Sequence, residues 1–86
     1  MSANSSERHR VALAFGAVLK IAREHRGLSQ EELGEGADLD RTYPSLLERG
    51  LRTPTLTVLI EIARALHVEP MQLVSDTIER LRGNES

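Results

Sequence analysis

The sequence predicts an all-α domain, and three observations predict it. Apolar residues recur at steps of three and four along most of the chain, helix start and stop residues punctuate that recurrence, and no stretch alternates polar with apolar as a half-buried strand would. With 86 residues there is room for one small core. A hydrophobic share of 40% beside a charged share of 28% belongs to a chain that folds, not to a disordered one. Cysteine is absent, so packing must hold the fold without disulfides or thiolate-bound metal.

Residues 1–6 are small and polar and read as a flexible arm, which leaves 7–82 as a single domain. From Glu7 to about His25, the residues Val11, Phe15, Val18, Leu19 and Ala22 share one face of a first helix. Arg26 and Gly27 suit its end, since glycine takes the left-handed conformation without steric cost. Ser29 with Glu32 three residues later makes a capping box, so a second helix is expected over about 29–37. Leu33 and Ala37 turn inward, while Gly34 and Gly36 each weaken this helix by about 1 kcal/mol relative to alanine.

Asp38 suits a left-handed turn, and a third helix is expected over about 40–49, capped by Asp40 and closed by Gly50. Pro44 lies inside it. With Asp40 as the cap, the bond that Pro44 forfeits is the first of the helix, so the damage stays at the start. A distorted, 3₁₀-like first turn is expected. After the loop RTPT, Thr55 caps a fourth helix with Leu56, Leu59, Ile62, Ala63 and Leu66 on one face, the strongest helical pattern in the chain. Pro70 suits the first position of a fifth helix over about 70–82.

Several function classes are disfavoured. A formal net charge of −2 does not advertise phosphate binding, and with only Phe15 and Tyr43 as aromatics a base-stacking platform for single strands is not expected. No apolar run approaches the roughly 20 residues of a membrane span. The opening MSANSSERHR lacks the apolar centre of a signal peptide, so the cytoplasm is the expected compartment. His9, His25 and His67 are scattered, with no HExxH spacing, no recognisable nucleophile setting and no glycine-rich phosphate loop. Neither an enzyme nor a metal, cofactor or small-molecule ligand is expected.

The second and third helices are short, joined by a tight turn and flanked by longer ones, which is the outline of a helix-turn-helix. LSQEEL opens the second helix, Leu39 sits in the turn, and ERG closes the third. Pro54 follows in the loop, IARAL forms the centre of the fourth helix, and VEP leads into the fifth. On these residues the stretch 27–74, extended by FGAVLKIAR at 15–23, resembles the DNA-binding domain of the lambda-repressor and Cro-like (XRE) family. Stand-alone members of that kind include restriction-modification controller proteins and small phage repressors.

The resemblance implies five helices, with the third laid in the major groove of double-stranded DNA and a homodimer on a palindromic operator. It carries base-reading positions onto Asp40, Arg41, Thr42, Ser45 and Leu46. An arginine at 41 suits the acceptor edge of guanine, and the Thr42 methyl suits a thymine methyl. It also carries a phosphate contact onto Gln30 and an ion pair between helices onto Arg23 and Glu48. Arg49 and Arg52 flank the following loop and are expected at the phosphate backbone. Glu31, Glu32 and Glu35 are expected mostly behind the DNA-facing side, with the basic residues in front.

Met71, Val74, Ile78 and Leu81 step by three, four and three along the fifth helix, a seam too long for so small a domain to hide, and read as the dimer contact. A regulator of transcription is thus the expected function. The alternative is an antitoxin or adaptor that uses the same fold to bind protein; an extended tail would mark it, and only a few residues follow Leu81.

Overall fold

A computed structural model describes residues 5–85 as five helices: α1 (Ser5–Arg26), α2 (Gln30–Gly36), α3 (Tyr43–Glu48), α4 (Leu56–Leu66) and α5 (Pro70–Glu85). No strand occurs among the described residues. Three boundaries differ from expectation. Ser5 and Ser6, assigned to the arm, belong to α1, while residues 1–4 lie outside the described residues. The fifth helix runs past 82 to Glu85, and the third starts at Tyr43 instead of Asp40.

The first four helices end by one device. The chain turns through a left-handed residue, and the amides of that residue and of the next reach back to orphan carbonyls of the last turn. After α1 that residue is Gly27, with Leu28 N–H donating to Arg23 O at 3.1 Å. After α2 it is Asp38, with Leu39 N–H on Gly34 O at 2.8 Å. Gly50 serves α3, with Leu51 N–H on Leu46 O at 2.9 Å, and His67 serves α4, with Val68 N–H on Ala63 O at 3.0 Å. The Asp38 conformation is the expected one; that of His67 is unanticipated, although histidine is, with asparagine and aspartate, among the residues that enter the left-handed region more often than most.

The core joins all five helices. Leu19 of α1, Leu33 of α2, Leu47 of α3, Ile62 and Leu66 of α4 and Leu73 of α5 are almost wholly buried, and Phe15, Val18, Ala37, Leu59 and Ala63 complete the cluster. The Pro44 ring is buried with them, turned inward as its register requires. Leu56, expected on the core face of α4, is instead 73% exposed. It is the first residue of that helix, and its side chain stands beyond the end of the core. Thr77 is buried in α5, where its hydroxyl donates to Leu73 O at 2.8 Å and so satisfies itself within the helix.

How α3 reaches the core depends on a missing side chain. At Gly16 of α1, a Cβ would stand 2.5 Å from the Leu47 carbonyl oxygen and 2.6 Å from that of Glu48. Glycine therefore lets the C-terminal carbonyls of α3 rest directly on the α1 backbone. This close approach sets the depth at which α3 sits, and hence how far its other face projects.

Candidate nucleic-acid interface

The outward surface of α2 and α3 is built from the caps inward. Ser29 Oγ accepts the Glu32 amide at 3.0 Å, and Glu32 Oε1 accepts the Ser29 amide at 2.8 Å, so both partners of the capping box are in place. Hydrogen bonding from Ser29, its amide first and then its side chain, holds the Glu32 carboxyl below its ordinary range. Leu39 packs on the core from the turn, and the turn passes close to α2 at Gly34, where a Cβ would stand 3.5 Å from the Arg41 backbone, an ordinary contact.

Asp40 does not cap α3. Its Oδ1 accepts the Thr42 hydroxyl at 2.6 Å and the Thr42 amide at 2.9 Å, while its carbonyl accepts the Tyr43 amide at 3.0 Å. A hydrogen-bonded turn thus stands where a first helical turn was expected, tighter by one residue, as an i to i+3 bond requires. Pro44 lies at the second helical position, where its missing amide is one that a helix leaves unpaired in any case. Hydrogen bonds from Thr42, the hydroxyl first and then the amide, hold the Asp40 carboxyl below its ordinary value.

A buried network fixes α3 against its neighbours. Arg23 Nε donates to Glu48 Oε2 at 2.6 Å, and its terminal nitrogens donate to Glu48 Oε1 at 3.0 Å and to Leu28 O at 2.7 Å. Gln30 Nε2 adds a third bond to the Glu48 carboxylate, on Oε1 and also at 3.0 Å. The ion-paired side chains are only 11% and 3% exposed. The hydrogen bond to Glu48 raises the Arg23 pKa above its ordinary value, against the opposing effect of burial. One residue thereby links α1, the loop after it and α3, with α2 attached through Gln30.

Beside the network lies an open groove of about 650 Å³. Six of the eight residues expected at DNA line it: Gln30, Arg41, Thr42, Ser45, Leu46 and Arg49. Asp40 and Arg52 do not. Asp40 is engaged with Thr42, and the Arg52 guanidinium donates to Leu51 O at 2.9 Å. Arg41 is exposed, and Arg49 Nε leans on Ser45 O at 3.4 Å. Gln30 shares its amide nitrogen with Glu48, which leaves one of its two N–H bonds for any other acceptor.

Sequence reasoning missed two lining residues, Ser29 and Glu31. Glu31, expected behind this surface, lies on its rim, because the first turn of a short helix presents all its side chains near one end. Its place two residues after the capping serine, in the first turn of α2, is the signal that could have located it.

Comparison with known proteins is consistent in kind. The family model described as Helix-turn-helix (HTH_3) matches residues 19–73. An HTH-type transcriptional regulator of Sinorhizobium fredii, y4dJ, is 44% identical over 64 residues, which is 74% of this chain and 83% of that protein. The crystal structure of the restriction-modification controller protein C.AhdI from Aeromonas hydrophila superposes with a TM-score of 0.70 at 40% identity, covering 72% of this chain and 94% of that one. The controller protein C.Esp1396I, solved as a tetramer in complex with its natural 35-base-pair operator, gives a TM-score of 0.74 at 31% identity, covering 83% and 93%.

Proposed function

Because this chain belongs to the helix-turn-helix family of transcriptional regulators, we propose that it acts as a homodimer on a palindromic operator in double-stranded DNA. One observation carries the reading. Arg41, Thr42, Ser45 and Leu46 of the turn and α3 open onto the same groove as Gln30 at the start of α2 and Arg49 at the end of α3. Readers of base edges and holders of phosphate thus share one concave surface. Arg41 takes the guanine edge, and Gln30, Arg49 and Arg52 meet the backbone.

Two copies join through α5. Met71, Val74 and Ile78 are exposed, and with Leu56 they line an apolar groove along that helix. Leu81 is half-buried and lines a neighbouring groove with Val11, Phe15, Val74 and Ile78, at the edge of the seam. An isologous dimer covers such a surface with its own copy and sets the two α3 helices on successive half-sites. The chain acts by binding and not by catalysis, in the cytoplasm where its operator lies.

Selection of bound sequences from random duplexes tests this. An enriched palindrome is expected, with Arg41→Ala weakening binding to it by roughly tenfold, the size of a bidentate base contact. Absence of an enriched palindrome, together with unchanged affinity in Arg41→Ala, would overturn the reading.

A further inference from the structure

We infer that Asp40 is a positioning residue that decides which base edges Thr42 accepts, and that it does not read a base itself. This rests on the DNA-binding reading above. One carboxylate oxygen, Oδ1, accepts both the hydroxyl and the amide of Thr42, at 2.6 and 2.9 Å. The Asp40 carbonyl closes the same turn on the Tyr43 amide at 3.0 Å. Asp40 is absent from the lining of the groove, whereas Thr42 lines it. The carboxylate therefore works within the turn.

The consequence is chemical. A threonine hydroxyl has one hydrogen to donate and two lone pairs to accept. With that hydrogen on Asp40, Thr42 offers the groove a methyl group and an acceptor oxygen, but no donor. In the major groove thymine presents a methyl, adenine and cytosine present amino donors, and guanine presents acceptors alone. Thr42 held in this way suits a thymine, adenine or cytosine edge and disfavours guanine at its position. An O–H donor on a carboxylate at this distance is of the stronger, charge-assisted kind, so the hydroxyl is not readily turned toward a base.

The test is the base-preference profile of the full chain on its selected operator, with every single-base change made symmetrically in both half-sites. Asp40→Ala frees the hydroxyl and is expected to lower discrimination against guanine at one base pair by about fivefold, the size of one hydrogen bond. Asp40→Asn, whose amide oxygen accepts from the same two donors, keeps the wild-type profile. In a Thr42→Val background, adding Asp40→Ala leaves the profile as it was, because there is no hydroxyl to release. A changed profile in Asp40→Asn, or a further change on adding Asp40→Ala to Thr42→Val, shows Asp40 touching a base and overturns the inference. So does an unchanged profile in Asp40→Ala. Should Asp40→Ala fail to fold, as circular dichroism reports, Asp40→Asn decides alone. Wild-type protein without any preferred sequence would instead overturn the DNA-binding reading itself.

Discussion

At the scale of single residues, Glu48 has the most partners at stake. It accepts from Arg23 twice and from Gln30 once, and its side chain is 3% exposed. Replacing it leaves a guanidinium buried without its counter-charge, so Glu48→Ala should cost about 3 kcal/mol or more in urea unfolding. Two other carboxylates respond to acid. Glu32 and Asp40 both have folded pKa values below their ordinary ones. A depressed carboxylate pKa contributes stability that is full above the ordinary value and is lost as pH falls through the folded value. Thermal melting followed from pH 6 to pH 2, at roughly one-unit steps, should therefore show the midpoint falling on the acid side of about pH 4, less so in Glu32→Gln. A midpoint unchanged across that range contradicts the assignment.

At the scale of elements, the short helices α2 and α3 hold their place by ends and contacts more than by propensity. A helix of six or seven residues is too short to persist alone in water. The capping box, the left-handed closures and the approach of α3 to Gly16 supply what length does not. Gly16→Ala places a methyl group against two backbone carbonyls that cannot swing aside. It should destabilise by about 1–3 kcal/mol in chemical denaturation, as overpacking of a tight contact does. Thr55→Ala removes the side-chain acceptor of the Val58 amide at 3.1 Å and should cost about 1 kcal/mol. The contrast is informative, since Gly16 is silent in the helical pattern of α1, while Thr55 is plain from residue type and place.

At the scale of the whole molecule, a chain of net charge −2 is proposed to bind a polyanion. Its arginines at the α3 surface, Arg41 and Arg49, are the proposed means, and Glu31 lines the same groove with the opposite charge. Binding should weaken steeply with salt. Arg49→Ala, removing one phosphate contact from each of two protomers, should flatten the slope of log affinity against log salt by about 2. Dimerisation is separable from this. Ile78→Asp sets a charge in the apolar seam and should sediment as a monomer, and a persistent dimer would move the contact away from α5.

The sequence by itself determined the class and order of the elements, the capping box at Ser29 and the left-handed turn at Asp38. It did so because periodicity, caps and turn residues act between neighbours a few positions apart, and such effects can be read along the chain. The Arg23–Glu48 pairing was legible through resemblance alone, and its joining to Gln30 was not. Only the tertiary structure decided that Asp40 closes a turn instead of capping a helix, that Leu56 stands outside the core, and that Glu31 reaches the groove. Those outcomes depend on where one helix end meets another, and on which donor an oxygen already holds, distances that no local pattern records.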